Sequence, residues 1–256
     1  DESDAFEEVV PVEILHTPET VAAYGEAKPD GREAINVPAG VVPSIGGLHL
    51  ELSSTAMVGL GEGARYLVEY PYGCAEQRGS RALALLLAAD LGEAFSLPGI
   101  APKDLKARVQ TALEELRKYQ CSDGGFAYWP GACYTRSPYL TAYLLHVFHV
   151  AEKMQYAVDK DMRERAYTYL ERELSGQPDV NEGWWPAYTA WQTFAVKVLV
   201  EGGRQQDSHI NRLYGYLDRM PIFGMAYLYD AMTATGEKSA RVDELRRHIL
   251  NGVLPE

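Results

Sequence analysis

The sequence predicts a mainly α fold of stacked helical hairpins, preceded by a short β segment. Three observations carry this prediction. From about Leu60 onward apolar residues recur at the helical period of about 3.6. Gly, Pro and Asp cluster between the periodic stretches, as they do at helix ends. Before about residue 55 the pattern is instead one of short apolar runs and alternations broken by Pro and Gly. With 256 residues, 46 % apolar and 23 % charged, the chain has ordinary globular composition and enough length for one to two domains.

Taken in order, Glu8 to Leu15 and Leu48 to Leu52 read as strands, interrupted by Pro11, Pro18, Pro29, Pro38 and Pro43, with turns at Gly25, Gly31, Gly40, Gly46 and Gly47. Two or three strands are too few to bury a core, so residues 1–55 are expected to be the edge of a neighbouring β domain. Helices are expected at about 60–69, 75–91, 104–119, 137–153, 159–174, 187–201, 206–218, 222–235 and 238–250. The third shows the signals: Pro102 precedes it, Asp104 suits its first turn, and Leu105, Val109, Ala112, Leu113 and Leu116 line one face. Short connections make antiparallel hairpins of consecutive helices, so 56–256 reads as one helical domain. Two aromatic loops, Asp123 to Gly131 and Asn181 to Pro186, start about 58 residues apart and each leads into a helix. They are expected to plug helix N-termini at one end of a ring of hairpins.

The balance of 36 acidic against 24 basic residues, a net charge of -12, offers no footprint for nucleic acid or an anionic membrane surface. No stretch approaches the ~20 apolar residues of a membrane-spanning helix. The opening Asp1-Glu2-Ser3-Asp4 reads as the start of a piece cut from a longer polypeptide. No Gly-rich loop precedes a basic helix, so no nucleotide cofactor is expected. His146, His149 and Glu152 stand at spacings that could put three ligands on one helix face. Val147, Phe148 and Val150 around them read as packing, and no metal is expected.

Three cysteines cannot all pair with one another. Cys121 and Cys133 flank the first aromatic loop, and a bridge between them would close a short loop; two unpaired buried thiols are the alternative. Cys74 lies in Tyr70-Pro71-Tyr72-Gly73-Cys74-Ala75-Glu76-Gln77. Pro71 and Gly73 end the preceding helix and Ala75 starts the next, so Cys74 falls at a helix N-terminus, where the dipole favours a thiolate. Gln77, three residues on, shares its face. This spacing permits an intramolecular thioester between the Cys74 sulfur and the Gln77 side-chain carbonyl carbon but does not by itself demand one: from local chemistry alone an inert buried cysteine comes first and a catalytic thiol second.

The segment PYGCAEQ closely resembles the thioester motif of the alpha-2-macroglobulin and complement superfamily, whose shared core is Gly-Cys-x-Glu-Gln, and Tyr70 ahead of it is what bacterial members show. Ser53 to Met57 and Ser137 to Tyr143 resemble further parts of the family's thioester domain. The resemblance implies an α/α toroid of helical hairpins, similar to terpenoid cyclases, with residues 1–55 part of a flanking CUB-like domain and the ring stopping short of closure. It implies a bacterial protease inhibitor rather than an enzyme: after cleavage of a bait region elsewhere, lysine amines of the protease attack the Gln77 acyl carbon and release the Cys74 thiol. Glu76 is expected to position, Gly73 to belong to the motif, and Tyr70 and Tyr72 to shield. The region near Pro178 to Lys197 lacks the histidine that redirects some complement members to hydroxyls, so amines are the expected acceptors. Further implications are a periplasmic, lipid-anchored parent protein, a bridged Cys121 and Cys133, and, as partners, target proteases, the rest of the macroglobulin chain and a penicillin-binding protein. Two other readings are weighed. Asp123-Gly124-Gly125-Phe126 also resembles repeats of prenyltransferase and terpene-cyclase enzymes, which need an aspartate-rich or zinc site that the sequence does not show. Cys74 paired with His146 or His149 would make a cysteine hydrolase.

Overall fold

The computed structural model describes residues 5–10, 17, 19–28, 30–32, 34–42, 44–48, 50, 52, 54, 58–91, 102–176 and 185–252. The chain divides into two compact units, Asp1–Leu52 and Ser53–Glu256. In the first, the described residues carry no strand, and the chain bends at 39–40 and 44–45. The expected strands are therefore not found where they are described; residues 11–16, 49 and 51 lie outside the described residues. Val9, Val10, Leu48 and Leu50, which would face a sheet, are exposed. The reason is one of number: two or three isolated strands bury too little apolar surface to hold a sheet.

The second unit is helical. Among its described residues are nine α-helices: α1 (Val58–Glu69), α2 (Ala75–Leu91), α3 (Pro102–Glu115), α4 (Pro138–Lys153), α5 (Lys160–Leu174), α6 (Trp185–Glu201), α7 (Asp207–Tyr214), α8 (Ile222–Ala234) and α9 (Ala240–Gly252). All nine periodic stretches are helical. Two end early. The stretch 104–119 leaves the α-helix at Glu115 and finishes as a 3-10 turn, Leu116–Tyr119, whose tighter winding turns both Leu116 and Tyr119 inward. Helix α7 stops at Tyr214, followed by Gly215 and a 3-10 turn at Leu217–Arg219.

Helices α2, α4, α6 and α8 pack on one another in succession, and α3, α5, α7 and α9 pack against them. Composition separates the two layers. Helix α4 buries Leu140, Thr141, Ala142, Leu144, Leu145, Val147, Phe148, His149 and Ala151, more than one face can hold. Helix α5 buries Met162, Ala166, Tyr167, Tyr169, Leu170 and Leu174, all on one side, and Leu245 alone is buried on α9. A helix apolar all round must be enclosed, whereas a striped one can face water on its other side. Helix α4 starts at Ser137, whose hydroxyl accepts the Leu140 N–H (3.3 Å), with Pro138 in its first turn. Asp159 caps α5 in the same way through the Met162 N–H (2.8 Å).

The loop between α3 and α4 is folded onto the helices rather than laid over them. Phe126 is fully buried; its N–H donates to Thr141 Oγ1 (2.9 Å), and its carbonyl accepts the Ser137 N–H (3.0 Å). Trp129 of the same loop, expected to plug, is instead 50 % exposed, while Phe126 is the aromatic that the loop buries completely. Of the second aromatic loop, residues 181–184 lie outside the described residues. Cys121 and Cys133, twelve residues apart, form a disulfide across the first loop. Arg165 donates to the Cys121 carbonyl (2.6 Å), tying the loop to α5. Gly124 has a φ of +94°, and a Cβ there would lie 2.2 Å from the Arg165 carbonyl oxygen.

Two outcomes follow for stability. Gly124→Ala combines left-handed strain with a backbone clash, so chemical denaturation is expected to show a loss of about 2–4 kcal/mol. Replacing both Cys121 and Cys133 by Ser is expected to cost about 3 kcal/mol through the freed loop; an unchanged midpoint would show that the helices alone hold the loop.

Candidate functional site

Between α1 and α2 the residues Tyr70 to Cys74 belong to no helix or strand. Pro71 cannot continue a helix and disfavours helical geometry at Tyr70. Cys74 is then the N-cap of α2. Its carbonyl accepts the first intrahelical bond, from the Arg78 N–H (3.0 Å), and its own N–H donates to Gln77 Oε1 (3.1 Å). This is half of a capping box: the N3 side chain, normally Glu or Gln, reaches back to the N-cap N–H, and the N-cap position usually holds Ser or Thr. Here the N-cap residue carries sulfur. The turn thus brings the Cys74 side chain and the Gln77 carboxamide to the same edge of the helix. Cys74 is the free cysteine, and at 8 % exposure it is buried.

Elements distant in sequence secure this turn. The Ala75 N–H, unsatisfied within the helix, donates to the Tyr128 carbonyl (2.9 Å) of the disulfide-closed loop. The Gly73 carbonyl accepts a short bond from the Tyr119 hydroxyl and one from Arg78 Nε (3.3 Å), which also donates to the Tyr119 oxygen (2.8 Å). Arg78 is in turn ion-paired with Glu115 at the end of α3. A Cβ on Gly73 would lie 2.9 Å from the Arg78 guanidinium, so a larger residue there would displace that side chain.

Glu76 points elsewhere. It accepts from Ser80 Oγ (2.8 Å), and Ser80 Oγ lies 2.8 Å from the Tyr143 hydroxyl of α4. With the Ser80 proton given to Glu76, Tyr143 is the donor in the second bond. Burial raises the Tyr143 phenol above its ordinary pKa, and the Glu76 carboxylate adds to the rise although the Ser80 bond opposes it, so the phenol keeps its proton. The Tyr70 ring packs tilted against Tyr66 (ring centroids 5.3 Å) and edge-on against Tyr72 (5.4 Å), and the Tyr70 carbonyl accepts from Arg81 (2.6 Å). Tyr72 itself is 65 % exposed. Arg65, Tyr66, Glu69, Tyr70 and Pro71 line a groove of about 310 Å³ beside the motif.

Cys74, Gln77, Glu76, Gly73, Tyr70 and Tyr72 are thus gathered around one helix start, and Cys121 and Cys133 close the loop that braces it. The histidines are engaged elsewhere. His146 packs edge-on to Phe194 (6.1 Å), with its pKa lowered by burial and then by Lys197. His149 bonds the Tyr167 hydroxyl and lies 3.6 Å from Glu201, while Glu152 is paired with Arg163. The three candidate ligands therefore address three different neighbours, and the structure joins neither imidazole to Cys74. Sequence reasoning missed Arg78, Ser80, Glu115, Tyr119, Tyr128 and Tyr143. The helical spacings Cys74–Arg78 and Glu76–Ser80 were a usable signal for two of them; the other four come from distant segments.

Residues 48–179, just over half the chain, match the family described as the A-macroglobulin TED domain. Alpha-2-macroglobulin of Rickettsia conorii is 23 % identical over 193 residues, 74 % of this chain and 10 % of the relative. Among solved structures, native alpha-2-macroglobulin of Escherichia coli, from domain MG7 to the C-terminus, superimposes with a TM-score of 0.66 at 24 % identity, covering 74 % of this chain and 30 % of that one. Salmonella alpha-2-macroglobulin reacted with methylamine gives a TM-score of 0.64 at 25 % identity, covering 75 % of this chain and 13 % of that one. The chain spans about a tenth of the length of the curated relatives it matches. On the strength of the family match, the helical fold and the Gly73 to Gln77 turn, the chain belongs to the A-macroglobulin TED-domain family, a thioester domain of bacterial alpha-2-macroglobulin type rather than an enzyme.

Proposed function

We propose that Cys74 and Gln77 form an internal thioester and that this electrophile captures attacking proteases covalently. One observation carries the reading: Cys74 caps the helical turn that has Gln77 at its third position, and the Gln77 carbonyl oxygen is already held by the Cys74 N–H (3.1 Å). Attack of the thiol on the Gln77 side-chain carbonyl carbon, with loss of ammonia, closes the thioester. An amine then adds to that carbon, and the sulfur leaves, so the target is joined through an amide and the Cys74 thiol is regenerated. Because an acyl group that meets water is lost to hydrolysis, the low exposure of Cys74 supports the reading. The Salmonella relative reacted with methylamine supports small amines as acceptors.

In the full-length protein the partners are the target proteases and the remainder of the macroglobulin chain, which supplies the bait region. The Cys121–Cys133 disulfide favours an oxidising compartment and supports a periplasmic location. A lipid anchor and association with a penicillin-binding protein rest on the family resemblance alone.

Fresh native protein is expected to be lighter than its sequence requires by one ammonia. Methylamine is expected to add its own mass at Gln77 and to release one thiol, and Cys74→Ala to abolish both changes; a full-mass native protein with a free Cys74 would remove the proposal. With no histidine between Pro178 and Lys197, methylamine is expected to be incorporated faster than glycerol at matched concentration. Faster glycerol transfer would show that another residue takes over the acyl group.

A further inference from the structure

The peptide unit joining Gly73 to Cys74 is held on both edges, and the two sets of partners differ in kind. In a trans peptide the C=O and N–H point in opposite directions. The N–H edge, belonging to Cys74, meets Gln77 Oε1 at 3.1 Å. The C=O edge, belonging to Gly73, receives the Tyr119 hydroxyl and Arg78 Nε. Tyr119 is buried, at 5 % exposure, and its own main chain is fixed, its carbonyl accepting the Ala127 N–H (2.9 Å). Arg78 is anchored at its other end by Glu115. Through its backbone N–H, Arg78 also holds the next carbonyl, that of Cys74 (3.0 Å). Two successive carbonyls and the intervening N–H are therefore pinned around the acyl centre.

We infer that Tyr119 and Arg78 are positioning residues for the acyl transfer: by gripping the Gly73 carbonyl they aim the Cys74 N–H at the acyl oxygen of Gln77 as an oxyanion donor. This rests on the thioester proposed above. The Gln77 carboxamide oxygen in the structure is the atom that becomes the thioester carbonyl oxygen. When an amine nitrogen bonds to Gln77 Cδ, the carbonyl π pair moves onto Oε1, where the Cys74 N–H meets the developing charge. Collapse restores the carbonyl and breaks the Cδ–Sγ bond. The sulfur leaves with the bonding pair and takes up the proton that the amine loses, giving an amide and a thiol. The same donor serves thioester closure, in which ammonia is the leaving group.

Two effects favour the clamp. It fixes direction, since a donor works only when aimed at the oxygen of the transition state. It also polarises the peptide: hydrogen bonds accepted by a carbonyl strengthen the N–H of the same unit as a donor. Gly73 fits this role, because any larger residue would press on the Arg78 guanidinium, 2.9 Å from the position of its Cβ.

The test uses the 256-residue chain, its Tyr119→Phe and Arg78→Met variants, and three readouts: intact mass, the methylamine rate, and the infrared band of the thioester carbonyl, taken as the difference before and after methylamine. In both variants the band is expected to move to higher wavenumber, as for a less strongly hydrogen-bonded carbonyl, and the methylamine rate to fall roughly tenfold, less than loss of a whole oxyanion donor. A folded variant that fails to lose ammonia while the parent chain does also supports the inference. Arg78→Met, at a half-buried side chain, serves if the Tyr119 change unfolds the chain. Variants that lose ammonia yet keep the parental band and rate overturn it. A parent chain of full mass instead removes the thioester itself, so the two failures are distinguishable.

Discussion

The amino end of α2 is where otherwise separate parts of the helical unit are tied together, and its unmet hydrogen-bonding groups are the reason. A helix start leaves N–H groups without partners inside the helix. Here one is met by Tyr128 from the loop before α4, and the preceding peptide is met by Tyr119 from the end of the α3 segment and Arg78 from α2. Remove that end and the loop loses its anchor on α2, while the Tyr119 hydroxyl and Arg78 lose the Gly73 carbonyl they share. The turn that carries Cys74 and Gln77 is therefore also a structural joint, which accounts for its buried cysteine.

Most of the fold was legible because helical periodicity is a local property. All nine periodic stretches became helices. What periodicity does not encode is the end of a helix. The 3-10 finish at Leu116–Tyr119 depends on both residues finding burial in the same layer, a tertiary condition. The described residues among the first fifty carry no strand, since alternation announces a strand only if another strand is there to pair with it.

The nearness of Cys74 to Gln77 was legible because it is written in adjacent residues. Cys74 and Gln77 fall in one turn, and the Pro71 and Gly73 breaks fix where that turn begins. Their supports were not. Glu115, Tyr119, Tyr128 and Tyr143 come from three later segments, and nothing in a single sequence marks a tyrosine as one whose hydroxyl will find a particular carbonyl. Glu76 shows the difference within one motif. Its place beside Gln77 suggests shared work, yet Ser80 and Tyr143 draw its carboxylate along a different line.

The disulfide has a consequence for the order of events during folding. The chain must bond two of its three thiols to each other and keep the third reduced. Cys121 and Cys133 are close along the chain, so their loop closes at smaller entropic cost than any loop to Cys74. Local oxidation is thus favoured before long-range mispairing, and packing of α2 then withdraws Cys74 from oxidants and from exchange. The short spacing of one pair protects the sulfur of the other site by removing its competitors, so selective oxidation is built into the linear arrangement of the cysteines.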